Sequence, residues 1–127
     1  MDGILSEIDI NESVSESILE YVKTQKPDLL PLGPMPRYSI TAFNGFVTGG
    51  FGRKVNAAYR DELTGAYMIM SVINEAAKRH EDLSLGTVAA LGTNPNIRVD
   101  NLNFIDKVVG DSVKPRLTRL KSTSYRR

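Results

Sequence analysis

VNAAYRDELTGAYMIMSVINEAAKRH, residues 55–80, sets the architecture. Val55, Tyr59, Leu63, Ala66, Met70, Ile73 and Ala77 recur at intervals of three and four, the apolar stripe of a helix about seven turns long. Arg60, Thr64, Ser71, Glu75 and Lys78 hold the opposite face. Between Ala66 and Ile73 nearly every position is apolar, so this stretch is expected to be covered on most sides. Gly65 costs roughly 1 kcal/mol against alanine in a helix interior. Its presence points to a close helix crossing or a bend.

Upstream, residues 38–48 read as a β-hairpin. Ser39–Phe43 and Phe46–Thr48 flank Asn44-Gly45, the favoured two-residue turn, whose positions both need positive φ. Gly49, Gly50 and Gly52 follow, then Arg53-Lys54. Before the hairpin, residues 26–37 contain Pro27, Pro31, Pro34 and Pro36, which remove amide donors and bias their neighbours to extended backbone. Leu29, Leu30, Leu32 and Met35 are interleaved with these prolines. A segment so apolar is expected to lie against a surface, either its own domain or a neighbouring subunit.

The N-terminal region begins with an apolar cluster, Ile4, Leu5 and Ile8. A stronger helix is predicted from Ser13 and Glu16, at capping-box spacing, with Val14, Ile18 and Val22 as its stripe and Leu19 beside it. Glu12, Glu16 and Glu20 form a second stripe, read as a solvated face or as a face for a basic partner. Downstream of His80, residues 83–91 read as a short helical piece ended by Gly92, and residues 93–96 as a turn. Ile97 and Val99 suggest a brief extended piece. A last helix capped by Asp100 or Asn101 carries Leu102, Ile105 and Val109, and is stopped by Gly110 and Pro115.

The predicted fold is therefore mainly α with a small β-hairpin, a helical domain built on one long central helix, with extended N-terminal and C-terminal arms. Its segments are 1–25, acidic and helical; 26–37, proline-rich and extended; 38–113, hairpin plus helical body; and 114–127, a basic tail with no evident reason to fold alone.

At 127 residues with 41% hydrophobic and 24% charged residues, the chain suits one globular domain. There is no cysteine, which excludes disulfides and thiolate chemistry. The longest apolar run, Ala66 to Met70, is far short of the ~18–20 residues of a membrane span. The start of the chain is acidic where a secretory signal needs positive charge. A cytoplasmic location, or one within a virion or another large intracellular assembly, is expected. Net charge is only +1, but residues 1–22 carry six acids and no base, while residues 114–127 carry six bases and no acid. Such polarity often marks interaction tails.

Chemical signatures are sparse. Gly50, Gly52, Arg53 and Lys54 ahead of a helix are candidates for anion contact, yet match neither a P-loop nor a dinucleotide fingerprint. A hinge or hairpin exit is the plainer reading. His80, the single histidine, reads as a surface cap at a helix C-terminus. No nucleophile elbow, histidine pair or EF-hand loop occurs, so no catalytic residue, metal or cofactor is expected.

These features point to a non-enzymatic structural or assembly subunit of a multi-protein complex, such as a virion capsid, neck or tail component, forming homo- or hetero-oligomers. Its expected partner-binding residues are Glu12, Glu16 and Glu20; Leu29, Leu30, Leu32 and Met35; and Arg116, Arg119, Lys121, Arg126 and Arg127. The competing reading is a small nucleic-acid-binding accessory protein. In that reading the basic tail displaces counterions and Tyr125 stacks on a base.

Overall fold

In the computed structural model the described residues are 2–28, 34–50, 55–84 and 95–126. They form α1 (Asp2–Asp28), α2 (Thr41–Thr48), α3 (Ala57–Ser84) and α4 (Pro95–Val108). A π-helical turn (Val109–Val113) follows, leading directly into α5 (Lys114–Ser122). The protein is mainly helical. Of the pieces read at 83–91 and 93–96, residues 83–84 are the end of α3, Pro95 and Asn96 are helical and begin α4 rather than sit in a turn, and the rest lie outside the described residues, as do Leu29, Leu30 and Leu32.

Three rods make the body: α1, α3 and the continuous α4–π–α5 unit. Tyr67 reaches Glu7 and Tyr21 reaches His80, so α1 and α3 run parallel. Glu62 pairs with Arg119 and Ala76 with Asn101, so the third rod runs antiparallel to α3. The core is where the three meet. Ile8, Ile18 and Val22 of α1, Leu63, Met70 and Ile73 of α3, and Leu102, Ile105, Val109, Val113, Leu117 and Leu120 of the third rod share one buried cluster. All seven residues of the 55–77 stripe are buried, Val55 lying just ahead of the helix. At 28 residues α3 is matched by α1 at 27, so two long helices, rather than one, carry the domain.

The N-terminal region is one helix, not a cluster followed by a second helix capped at Ser13. Its buried stripe runs Ile4, Ile8, Asn11, Ser15, Ile18, Val22, Gln25. Helical spacing is unbroken, but Asn11 and Ser15 are polar, which hides the continuity. Both are satisfied inside the protein. Ser15 Oγ and Tyr38 Oη are 2.8 Å apart, and burial pushes the Tyr38 hydroxyl up to about 12. The helix also runs on to Asp28, three residues into the proline-rich segment.

The hairpin is absent, because residues 41–48 are helical. Ile40 at the N-cap offers no side-chain cap. The cap comes instead from Glu7 on α1, whose carboxylate accepts from Ala42 N at 2.8 Å and Phe43 N at 3.1 Å. Ser39 Oγ and Tyr67 Oη donate to the same carboxylate at 2.9 and 2.7 Å. With Glu7 supplied, Asn44-Gly45 is carried within the helix. Phe43 stacks on Tyr67 with ring centroids 4.3 Å apart, and Phe46 is buried. Gly49 N bonds to Gly45 O, and Gly50, at φ 74°, takes the left-handed position that ends a helix.

Ahead of α2, residues 34–40 are irregular, with Met35 and Tyr38 buried on their own domain. Their backbone groups need partners, and two asparagines act as a neighbouring strand would. Asn74 accepts from Tyr38 N and donates to Tyr38 O, at 2.8 and 3.1 Å. Asn11 does the same for Ser39, at 2.9 Å in both directions.

The third rod corrects the remaining expectations. Residues 97–99 are helical, and neither Gly110 nor Pro115 stops the chain. Proline lacks an amide hydrogen and crowds the carbonyl four residues back. The wider π turn at Val109–Val113 immediately precedes it, leaving Pro115 in the first turn of α5, where proline is tolerated. Neither terminus is an extended arm. Leu117 and Leu120 are buried, and α5 crosses at Gly65, where a Cβ would stand 3.3 Å from Arg116 Nη1. Past α5, Arg126 bridges to Val55, and Asn56 holds the carbonyls of Ser124, Tyr125 and Arg126.

Candidate interaction surface

The acidic and basic regions of the sequence meet each other. Lys121 Nζ lies 2.7 Å from Glu12 and 3.0 Å from Asp9, and Lys114 pairs with Glu16. The two carboxylates beside Lys121 raise its pKa. Arg119 binds Glu62 at 2.9 Å, and Arg116 flanks the same carboxylate at 3.9 Å. Three of the expected partner-binding cations, Arg116, Arg119 and Lys121, and two of the acids, Glu12 and Glu16, are thus engaged within the chain, with Lys114 beside them. Glu20 and Arg126 are exposed, while Met35 is a core residue. Gly50 ends α2, and Gly52, Arg53, Lys54 and Arg127 lie outside the described residues.

His80 is not a surface cap. α3 continues four residues past it, and the imidazole is fully buried. Tyr21 Oη is 3.4 Å from Nε2, with the two rings edge-to-face at 5.8 Å. Burial, and then the nearby Arg98 guanidinium, lower its pKa to about 4 against a smaller opposing pull from Glu81. Arg98 itself donates to buried Gln25 at 2.8 Å. This group is packed between α1, α3 and α4 and holds the rods together. Among the described residues no cluster of histidines and acids could hold a metal, and no helix is long and apolar enough to cross a membrane.

The open feature lies on the other side of α3. A groove of about 650 Å³ runs between α3 and α4, lined by Val72, Ala76, Ile97 and Phe104 with Glu75, Arg79, Asp100 and Asn101. Asn101 bridges the helices by donating to Ala76 O at 2.9 Å. Val72 is 51% exposed and Phe104 45%, and Met68, one turn before Val72, is 66% exposed. The stretch Ala66–Ile73, expected to be covered on most sides, is bare on this one. Sequence reasoning recorded its apolar density but gave no separate role to Met68 and Val72, which sit at i, i+4 off the core stripe. Phe104 likewise falls beside the Leu102–Ile105–Val109 stripe. A second apolar stripe flanking the first was the signal available. No protein-family model, curated protein or solved structure matches this chain, so the surface itself carries the functional argument.

Proposed function

We propose that this protein is a non-enzymatic assembly subunit of a larger multi-protein complex, of the kind that builds a virion, and that it binds neighbours through the outward face of α3 and α4. The observation that carries this reading is the exposure of Met68, Val72 and Phe104 together beside the groove. Large apolar side chains grouped on a surface and edged by charges are a common mark of protein contact. Part of the terminal charge that the sequence offered as contacts, namely Glu12, Glu16, Arg116, Arg119 and Lys121, is paired within the chain. This pairing also weakens the nucleic-acid reading, since Lys114, Arg119 and Lys121 face carboxylates rather than solvent alone.

A photo-crosslinking residue at position 68, compared with one at exposed Ser17 on α1, tests this in the protein's native cellular setting. Discrete crosslinked protein bands are expected from position 68 and not from position 17. Equal labelling from both, or none from either, overturns the proposal. At concentrations where the chain is monomeric, Met68→Ser should leave the unfolding midpoint unchanged, because the side chain it removes is largely exposed within one chain.

A further inference from the structure

We infer that the neighbour on this face is a second copy of the same chain, and that two α3 helices pair antiparallel about a two-fold axis beside Met70. This inference rests on the α3–α4 face being a protein contact, and adds which protein covers it.

The register follows from four residues. Asp61, Met68, Val72 and Arg79 are placed symmetrically about position 70, two at nine residues' distance and two at two residues' distance. At 100° per residue all four fall within about 40° of arc, and Asp61 and Arg79 are about five turns apart on one line. A two-fold axis makes residue i meet residue j while j meets i. Antiparallel pairing about position 70 therefore lays Met68 of each copy on Val72 of the other, and brings Asp61 of each to Arg79 of the other. Phe104, which shares the groove with Val72, then flanks the opposing Met68. Parallel pairing would set Asp61 against Asp61 and Arg79 against Arg79, so the charges select the antiparallel form.

The state of these two charges supports the same reading. Glu62, Glu81, Glu16 and Glu12 all hold a cation within the chain. Among the described residues, Asp61 and Arg79 form no ion pair. They are the complementary ends of a ridge whose middle is apolar.

Sedimentation equilibrium over a concentration series, on the purified full chain, tests the pairing. The expected result is a reversible monomer–dimer equilibrium. Arg79→Asp should raise the dimer dissociation constant by about tenfold or more, since it sets like charges opposed at both ends of the contact. Asp61→Arg combined with Arg79→Asp should return it to within about threefold of the parent value. Both residues are exposed, so circular dichroism melts should show every variant folded. A chain that stays monomeric at all concentrations overturns the inference, as does a dimer indifferent to Arg79→Asp or a double variant that fails to recover. If position 68 crosslinks only to a different protein while the chain is monomeric, the self-pairing is lost and the assembly function stands. If position 68 crosslinks to nothing and no dimer forms, both are lost.

Discussion

Tyr67 and Met68 are adjacent on α3 and have opposite fates. Tyr67 is buried, donates its hydroxyl to Glu7 and stacks on Phe43. Burial and the Glu7 carboxylate push its pKa far above the ordinary tyrosine value. Met68 points away and is exposed to water one turn before Val72, which lines the groove. On its inward side α3 places Tyr67 in a filled hydrogen-bond network at Glu7, and on its outward side it leaves Met68 and Val72 exposed. Several charges of the termini are paired within the chain, while large apolar side chains of α3 lie exposed, the reverse of the usual expectation for charged termini and apolar helices.

The inward side can be broken at Glu7. Glu7→Ala removes the acceptor for two backbone amides of α2 and for the hydroxyls of Ser39 and Tyr67. Buried donors left without partners cost about 1–3 kcal/mol each, and a lost cap about 1 kcal/mol more. Urea unfolding should show a stability loss of at least about 3 kcal/mol, together with loss of helix signal from residues 41–48. An effect below about 1 kcal/mol would show that α2 does not depend on α1.

Acid acts on the same side more gradually. The folded protein holds His80 at about 4, below the 6.5 of the unfolded chain. As pH falls below about 6.5 the unfolded chain takes up a proton that the folded one refuses, so stability declines until about pH 4 and is unaffected by this group above neutrality. The loss from this residue is at most about 3 kcal/mol, from about 1.4 kcal/mol per pKa unit. Comparing unfolding free energies at pH 7 and pH 5 for the parent and His80→Gln checks it, and the variant should show the shallower slope.

The seam between α1 and α5 offers the smallest effect. Lys121→Ala removes contacts to Asp9 and Glu12 that are open to solvent, and exposed pairs contribute little. A melting temperature lowered by only one or two degrees is expected, with the difference shrinking as salt rises. A large loss would mean that the charge seam, rather than Leu117 and Leu120, holds α5 in place.

Legibility in the sequence followed locality. The 55–77 stripe was readable because seven apolar residues repeat at the helical period with nothing interrupting them. α1 was read as two pieces because buried Asn11 and Ser15 look like surface residues until Ser39 and Tyr38 are placed beside them. α2 was read as a hairpin because its cap is 35 residues away in the chain. The candidate surface was legible only in part: the apolar density of residues 66–73 is plain, but which side of it stays bare depends on where α1 and α4 dock.

Sequence alone determined the helical class, the main core stripe, the absence of thiol chemistry and the opposed charges of the two termini. Each of these is set by residue identity or by spacing within a few turns. Tertiary structure decided that the termini meet each other, that Glu7 starts a helix it does not belong to, and that Met68, Val72 and Phe104 share one open face. Those outcomes depend on residues tens of positions apart, and local spacing holds no record of which distant side chain will supply a missing partner.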